Sequence, residues 1–327
     1  MVKFLVIRFS SIGDIVLTTP VVRCLKKQVE GAEVHYVTKR AFKPVLENNP
    51  NIDKLWLFDG DLKALARELS QESIDYIIDL HNNLRSNRLQ RMLKIVSFPF
   101  HKINLEKWLI VNFNIDRLPD KHIVDRYMET TRVFDVKNDG EGLDYFLSDK
   151  DRELPAEIQK VLALKYVSLV IGAQHYTKKA PPEKLAEVCD RIKSPVILLG
   201  GPDDESEARE ILNFTKNKLV IDLCGKLSLN QSAFIVKKSE VVISHDTGLM
   251  HIAAAFKKKI ISLWGNTIPE FGMSPYLPDP GSEIFEIKGL SCRPCSKIGF
   301  NKCPKKHFKC MREQDPDAIA SAVNLLL

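Results

Sequence analysis

Short apolar, β-branched runs alternate with longer helical patterns along most of the chain. They fall at residues 3–8, 33–38, 54–58 and 75–80, then, after a break, at 166–171, 196–200, 219–222, 241–244 and 260–264. Runs that are apolar at nearly every position suit strands covered on both faces, the condition of a parallel sheet. The repeated alternation predicts an α/β chain of two doubly wound, Rossmann-like domains. The polar stretch 136–155 reads as a linker between them. The first domain is expected over 1–150 and the second over 151–314, with a final helix at about 315–327 returning to the first. With 327 residues, 44% of them hydrophobic, there is enough apolar material for two cores. In open parallel sheets ligands bind beyond the carboxyl ends of the strands, so the expected site is a cleft where the two domains face one another.

Charge is unevenly spread. Lys and Arg exceed Asp and Glu by 48 to 42, a net +6. Residues 85–132 contribute +5 and residues 287–312 contribute +8, which leaves −7 for the rest of the chain. The first basic segment is interleaved with Phe98, Phe100, Trp108, Phe113 and Tyr127. That mixture suits an anionic, lipid-linked saccharide at a membrane face; equally, residues 105–113 form a core helix with a solvated rim. The opening apolar run is interrupted by Arg8 and no run approaches the length of a membrane span, so neither signal peptide nor anchor is expected. Seven cysteines in such a chain suit a reducing, cytoplasmic setting.

The first strand runs into Phe9-Ser10-Ser11-Ile12-Gly13-Asp14, followed by a helix whose Val21, Leu25 and Val29 recur every fourth residue. Gly13 permits a sharp turn. The Ser10 and Ser11 hydroxyls with the helix-starting N–H groups would bind a polar or anionic group, and Asp14 would project into the cleft. Asp14 also suits a plain helix cap.

In the second half, the strand at 241–244 ends in His245-Asp246-Thr247-Gly248-Leu249-Met250-His251, followed by alanines. Asp246, Thr247 and Gly248 would place N–H groups and a hydroxyl at a helix N-terminus, where the dipole favours a pyrophosphate. An ordinary cap with a core or surface histidine is the competing reading. Neither a P-loop nor a G-x-G-x-x-G fingerprint is present. Asp59-Gly60-Asp61 directly follows a strand pattern and reads as a turn rather than a metal site.

Cys292, Cys295, Cys303 and Cys310, with His307 among them, form a late cluster. The four together suit a tetrahedral structural zinc site, although the second pair is spaced more loosely than in a zinc ribbon; reduced thiols near the cleft are the competing reading, ahead of disulfides. Cys24, Cys189 and Cys224 lie inside helix or strand patterns and read as small buried hydrophobes.

Three motifs together carry a resemblance. Arg8-Phe9-Ser10-Ser11-Ile12-Gly13-Asp14, then Thr177-Lys178-Lys179-Ala180-Pro181, then His245 to His251 resemble, in order and spacing, the glycosyltransferase family of bacterial lipopolysaccharide heptosyltransferases. The resemblance implies an inverting GT-B enzyme that holds the acceptor on its first domain and an ADP-sugar on its second. By that analogy Asp14 is the general base for the acceptor hydroxyl, with burial raising its pKa toward a useful range. Lys178 neutralises the departing diphosphate, and the Thr247, Gly248 and Leu249 amides share the charge. Thr177, Asp246, Met250 and His251 complete the donor side, with Asp204 or Glu205 accepting from ribose hydroxyls. The acceptor side takes Ser10, Ser11 and Gly13, with His81, Asn82 and Arg85 from the end of another strand, and Arg126. Lys178 and helix dipoles stand in for a metal, so no cofactor is required for catalysis. The implied partners are an ADP-sugar and a lipopolysaccharide inner-core acceptor at the membrane surface. Another nucleotide sugar with a different acceptor is the nearest alternative. A basic zinc and nucleic-acid-binding protein leaves the Asp246 loop unexplained, so no nucleic-acid partner is expected.

Overall fold

The computed structural model describes residues 2–327. The chain divides into two compact units, Met1–Ile103 with Asp120–Phe146 and Asn104–Pro119 with Leu147–Leu327.

In the first unit, β1 (Val2–Ile7), β2 (Ala32–Lys39), β3 (Lys54–Phe58), β4 (Tyr76–Asp79) and β5 (Val96–Pro99) form one parallel sheet in the order β3-β2-β1-β4-β5. Phe4, Leu5, Val6 and Ile7 of the central strand are all fully buried, as apolarity at successive positions requires when both sheet faces are covered. The connections carry α1 (Ile12–Val16), α2 (Thr19–Gln28), α3 (Lys43–Leu46), α4 (Leu62–Leu69) and α5 (Leu84–Leu93). Val21, Val22 and Leu25 of α2 are buried.

The chain next forms α6 (Asn104–Phe113), which belongs to the second unit, and comes back to the first with α7 (Ile123–Met128). The division therefore differs from a single cut at residue 150: Ile110, with Val111 and Leu118, packs on Ile268 and Phe271 of the second unit. The stretch 136–146 is not a loose linker either. Arg23, itself buried, donates to both carboxylate oxygens of Asp139 at 2.8 Å, to the Gly142 carbonyl at 2.8 Å and to Asp144. Its guanidinium holds Asp139 down at about 2.

The second unit has six parallel strands, β6 (Val167–Val170), β7 (Val196–Leu199), β8 (Val220–Asp222), β9 (Val241–His245), β10 (Lys259–Trp264) and β11 (Glu283–Glu286), ordered β11-β10-β9-β6-β7-β8. The sixth strand escapes the apolar signal because it is an edge, where Glu283 and Ile284 face solvent. Around the sheet lie α8 (Ala156–Leu162), α9 (Pro182–Cys189), α10 (Glu205–Phe214), α11 (Leu229–Lys238), α12 (Gly248–Ala255), α13 (Lys309–Arg312) and α14 (Pro316–Leu326). The final helix does not return to the first unit. Ile319, Ala320 and Val323 of α14 share one core with Leu185 and Val188 of α9 and Leu263 of β10, so its apolar stripe is satisfied locally. Among the described residues no helix is long and apolar enough to cross a membrane.

Candidate active site

In both sheets the strand order reverses beside the first strand, and the loops leaving the two strands at such a reversal frame a ligand crevice. In the first unit those strands are β1 and β4; in the second they are β6 and β9. The motif residues fall on these four loops.

On the first unit, Arg8 follows the last residue of β1 and its guanidinium spans the reversal. Its Nε donates to the Ser10 carbonyl at 2.7 Å, and Nη1 donates to the Leu80 carbonyl beyond β4 at 2.6 Å and to Tyr127 Oη at 3.0 Å. Nη2 lies 2.7 Å from Asp14 Oδ1. The other carboxylate oxygen, Oδ2, accepts from Ser11 Oγ at 2.8 Å and from the Ser11 N–H at 3.2 Å. The anion held by this helix start is thus the chain's own Asp14, which both caps α1 and pairs with Arg8. The expected rise in its pKa is reversed. Burial alone pushes the carboxyl up, but Arg8 and the two Ser11 donors outweigh it and hold Asp14 below its ordinary value.

The acceptor-side candidates gather nearby with different freedoms. The His81 ring meets Phe9 edge-on at 5.7 Å. Burial first, then Arg8 and Lys102, push His81 down to about 3, so its imidazole is neutral. The His81 and Asn82 N–H groups both donate to Asp79 Oδ1, at 2.9 and 2.8 Å, and the Asn82 side-chain amide donates to the Phe100 carbonyl at 2.9 Å. Asn82 thereby shapes the loop with its own polar groups. The Arg85 guanidinium lies over the Phe9 and Phe58 rings at 5.4 and 5.2 Å. Arg126 is buried over Phe100 at 5.7 Å, away from an exposed position. Lys102, which sequence reasoning passed over, is half-buried beside Arg8 and the Asp14 and Asp79 carboxylates, and burial lowers its pKa.

On the second unit, Lys178 Nζ lies 2.6 Å from Asp246 Oδ2, joining the loops after β6 and β9. Thr267 Oγ1 donates to the same oxygen at 3.2 Å. Thr247 takes the N-cap position of α12 in extended conformation, and Asp246, Thr247, Gly248 and Leu249 are partly accessible. Met250 and His251 point inward and are buried, so their side chains pack rather than line an open surface. Thr177 is buried as well: its N–H and hydroxyl both donate to the Phe300 carbonyl, at 3.1 and 3.2 Å. Asp204 accepts from Lys179 Nζ at 2.6 Å and from the Gly201 N–H at 2.9 Å. Its carboxylate occupies the space that a side chain at Gly172 would need, 2.3 Å from such a Cβ, so it is a structural anchor. Glu205 is the exposed member of that pair.

The zinc expectation meets no matching geometry. All four late cysteines are free thiols, and among the described residues no group of three or more His, Cys, Asp or Glu side chains is arranged to hold a metal ion. Cys292 Sγ lies 3.8 Å from His307 Nε2, while burial raises the Cys295 and Cys310 thiols to about 11 and about 12. Asp59 pairs with Arg40, and Asp61 caps α4 by accepting from the Lys63 and Ala64 N–H groups at 2.8 and 3.0 Å.

Comparisons with known proteins identify the family and the fold. Lipopolysaccharide heptosyltransferase 1 of Campylobacter coli is 26% identical over 290 residues, 81% of this chain and 84% of that protein. The structure of a glycosyl transferase family 9 protein from Veillonella parvula matches with a TM-score of 0.78 at 23% identity, covering 99% of this chain and 96% of that one. The ADP-heptose LPS heptosyltransferase II of Escherichia coli matches with a TM-score of 0.76 at 18% identity, covering 99% and 98%. These two likenesses establish the GT-B fold. The model of glycosyltransferase family 9 (heptosyltransferase) matches residues 62–298, most of the chain, and the protein therefore belongs to that glycosyltransferase family.

Proposed function

We propose that the enzyme moves heptose, or a similar sugar, from an ADP-sugar to a saccharide acceptor of the lipopolysaccharide inner core, with inversion and without a catalytic metal. The similar Campylobacter coli protein carries the name of a lipopolysaccharide heptosyltransferase, and the similar Escherichia coli structure that of an ADP-heptose heptosyltransferase. A single observation carries the chemistry: the Asp14 carboxylate stands at the switch point of the first sheet, 2.7 Å from the Arg8 guanidinium that orients it.

In the proposed step the acceptor hydroxyl oxygen attacks the anomeric carbon while the bond from that carbon to the diphosphate oxygen breaks. The hydroxyl proton passes to Asp14, and ADP leaves with the bonding pair. A carboxylate held ionised by Arg8 is a weak base at rest, but the hydroxyl becomes strongly acidic as its oxygen bonds to carbon, so transfer late in the step is downhill. The negative charge on the departing diphosphate is met by Lys178 and by the first amides of α12. Thr267 and Asp246 orient Lys178. The His81 imidazole, being neutral, would hydrogen-bond acceptor hydroxyls without placing a further positive charge beside Asp14. Arg85 and Lys102 supply cations for an anionic acceptor. The site is read as cytoplasmic and at the membrane face, where a lipid-linked acceptor is presented.

A panel of nucleotide sugars and inner-core acceptors, with products weighed by mass spectrometry, tests the assignment. A heptosylated product formed from ADP-heptose alone is expected. Faster transfer from a uridine or guanosine sugar would overturn the donor.

A further inference from the structure

Helix α6 is apolar on two sides, and the protein uses one. On the inner side Ile110, with Val111 and Leu118, packs on Ile268 and Phe271. On the outer side Leu105 is 64% exposed, Trp108 45%, Phe113 57% and Ile115, on the return loop, 46%. The Trp108 and Phe113 rings meet edge-on at 5.1 Å, so the outer aromatics form one patch. A surface helix needs a single apolar stripe to fold onto its protein, and a second, solvent-facing one marks an interaction surface.

A basic loop lies beside that patch. Lys297 Nζ donates to the Asn104 carbonyl at 3.0 Å, which brings the late basic segment against the first turn of α6. From Lys297 to Arg312 there are six Lys or Arg and no Asp or Glu, and Lys302, Lys305 and Lys306 are exposed. On α6 and its return loop Glu106 and Asp116 balance Lys107 and Arg117, so the positive field comes from the neighbouring loop. The late basic segment is thus tied to the end of α6 that carries Leu105.

We infer that the outer side of α6, with the lysine loop at residues 297–306, docks this enzyme on an anionic phospholipid surface. The inference rests on the reading of a lipid-linked acceptor. Trp and Phe settle at headgroup depth, and lysines beside them are drawn to anionic lipid. A second copy of the chain would bring an equally positive loop to the same face and be repelled.

Co-sedimentation of the full chain with unilamellar vesicles tests this. Vesicles containing about one-third phosphatidylglycerol should bind at least about tenfold more tightly than pure phosphatidylcholine, and the difference should shrink with salt. The double variant Trp108→Ser/Phe113→Ser and the triple variant Lys302→Gln/Lys305→Gln/Lys306→Gln should each weaken vesicle binding by about tenfold, while keeping the unfolding temperature and transfer to a deacylated, water-soluble acceptor. Equal binding to both vesicle types would overturn the proposal. So would unchanged binding by the aromatic variant, or a change in its oligomeric state with no effect on vesicles. Binding is read without turnover, so failure of the acceptor reading would show in the transfer assay alone.

Discussion

Arg8 and Asp14 are joined at 2.7 Å across the turn that leaves the central strand of the first sheet, and the same guanidinium reaches the Leu80 carbonyl at 2.6 Å beyond the neighbouring strand. One buried cation therefore ties both loops of the switch point and sets the charge state of the proposed base.

The acid limb of kcat/KM is expected to lie below the ordinary carboxylate range, because Arg8 and Ser11 outweigh burial and keep Asp14 ionised. Arg8→Met leaves burial unopposed and should move that limb upward by about two pH units. A pH profile of the variant that superimposes on the parent would show that Arg8 does not govern the base.

His81 makes a separate statement about stability. Its folded value of about 3 lies below the ordinary 6.5, so the unfolded chain binds the extra proton between those values. Its contribution is complete above pH 6.5 and is lost as pH falls toward 3. Asp14 acts lower down and in the same sense, its contribution being present above 3.8 and lost on acidification below it. Urea denaturation should show stability falling from neutral pH toward pH 4, with a shallower fall in His81→Phe. An imidazole NMR signal for His81 that titrates near pH 6.5 would contradict this.

Lys178→Ala should lower kcat by about 100-fold while ADP binding weakens less, because the ammonium meets charge that grows as the diphosphate leaves. Thr267→Val removes only the hydroxyl that orients Asp246 and should cost about tenfold in kcat with little change in KM. Single-turnover rates and calorimetric ADP affinity separate the two effects. If both variants lose ADP affinity and rate equally, Lys178 serves ground-state binding only.

Asp204→Ala should act on stability rather than chemistry. It strands Lys179 with Glu207 alone and should cost about 2 kcal/mol, read from denaturant midpoints, with kcat per folded molecule preserved. Loss of ADP affinity at unchanged stability would return Asp204 to the ribose.

The two parallel sheets were legible because strands buried on both faces must be apolar at successive positions, as Phe4 to Ile7 are. The edge strands β5 and β11 were not, since an edge tolerates exposed or polar positions such as Val96, Glu283 and Glu286. Asp14 and the Asp246 loop were legible as polar residues in turns that follow apolar strands, and Lys178 only through the resemblance of its motif. Side-chain engagement was not: spacing does not show that Thr177 would be spent on Phe300 or Asp204 on Lys179. Arg8 stood inside a recognised motif, and a lone Arg closing an apolar strand was the available signal. Lys102 and Thr267 had none, because their partners lie far away in sequence.

The most direct test is Asp14→Asn, which keeps the shape of the side chain and removes its capacity as a base. ADP-sugar affinity should stay within about twofold while transfer, followed by mass spectrometry, falls at least about 100-fold. Transfer at near the parent rate by a folded Asp14→Asn protein would remove Asp14 from the base role and contradict the proposed chemistry.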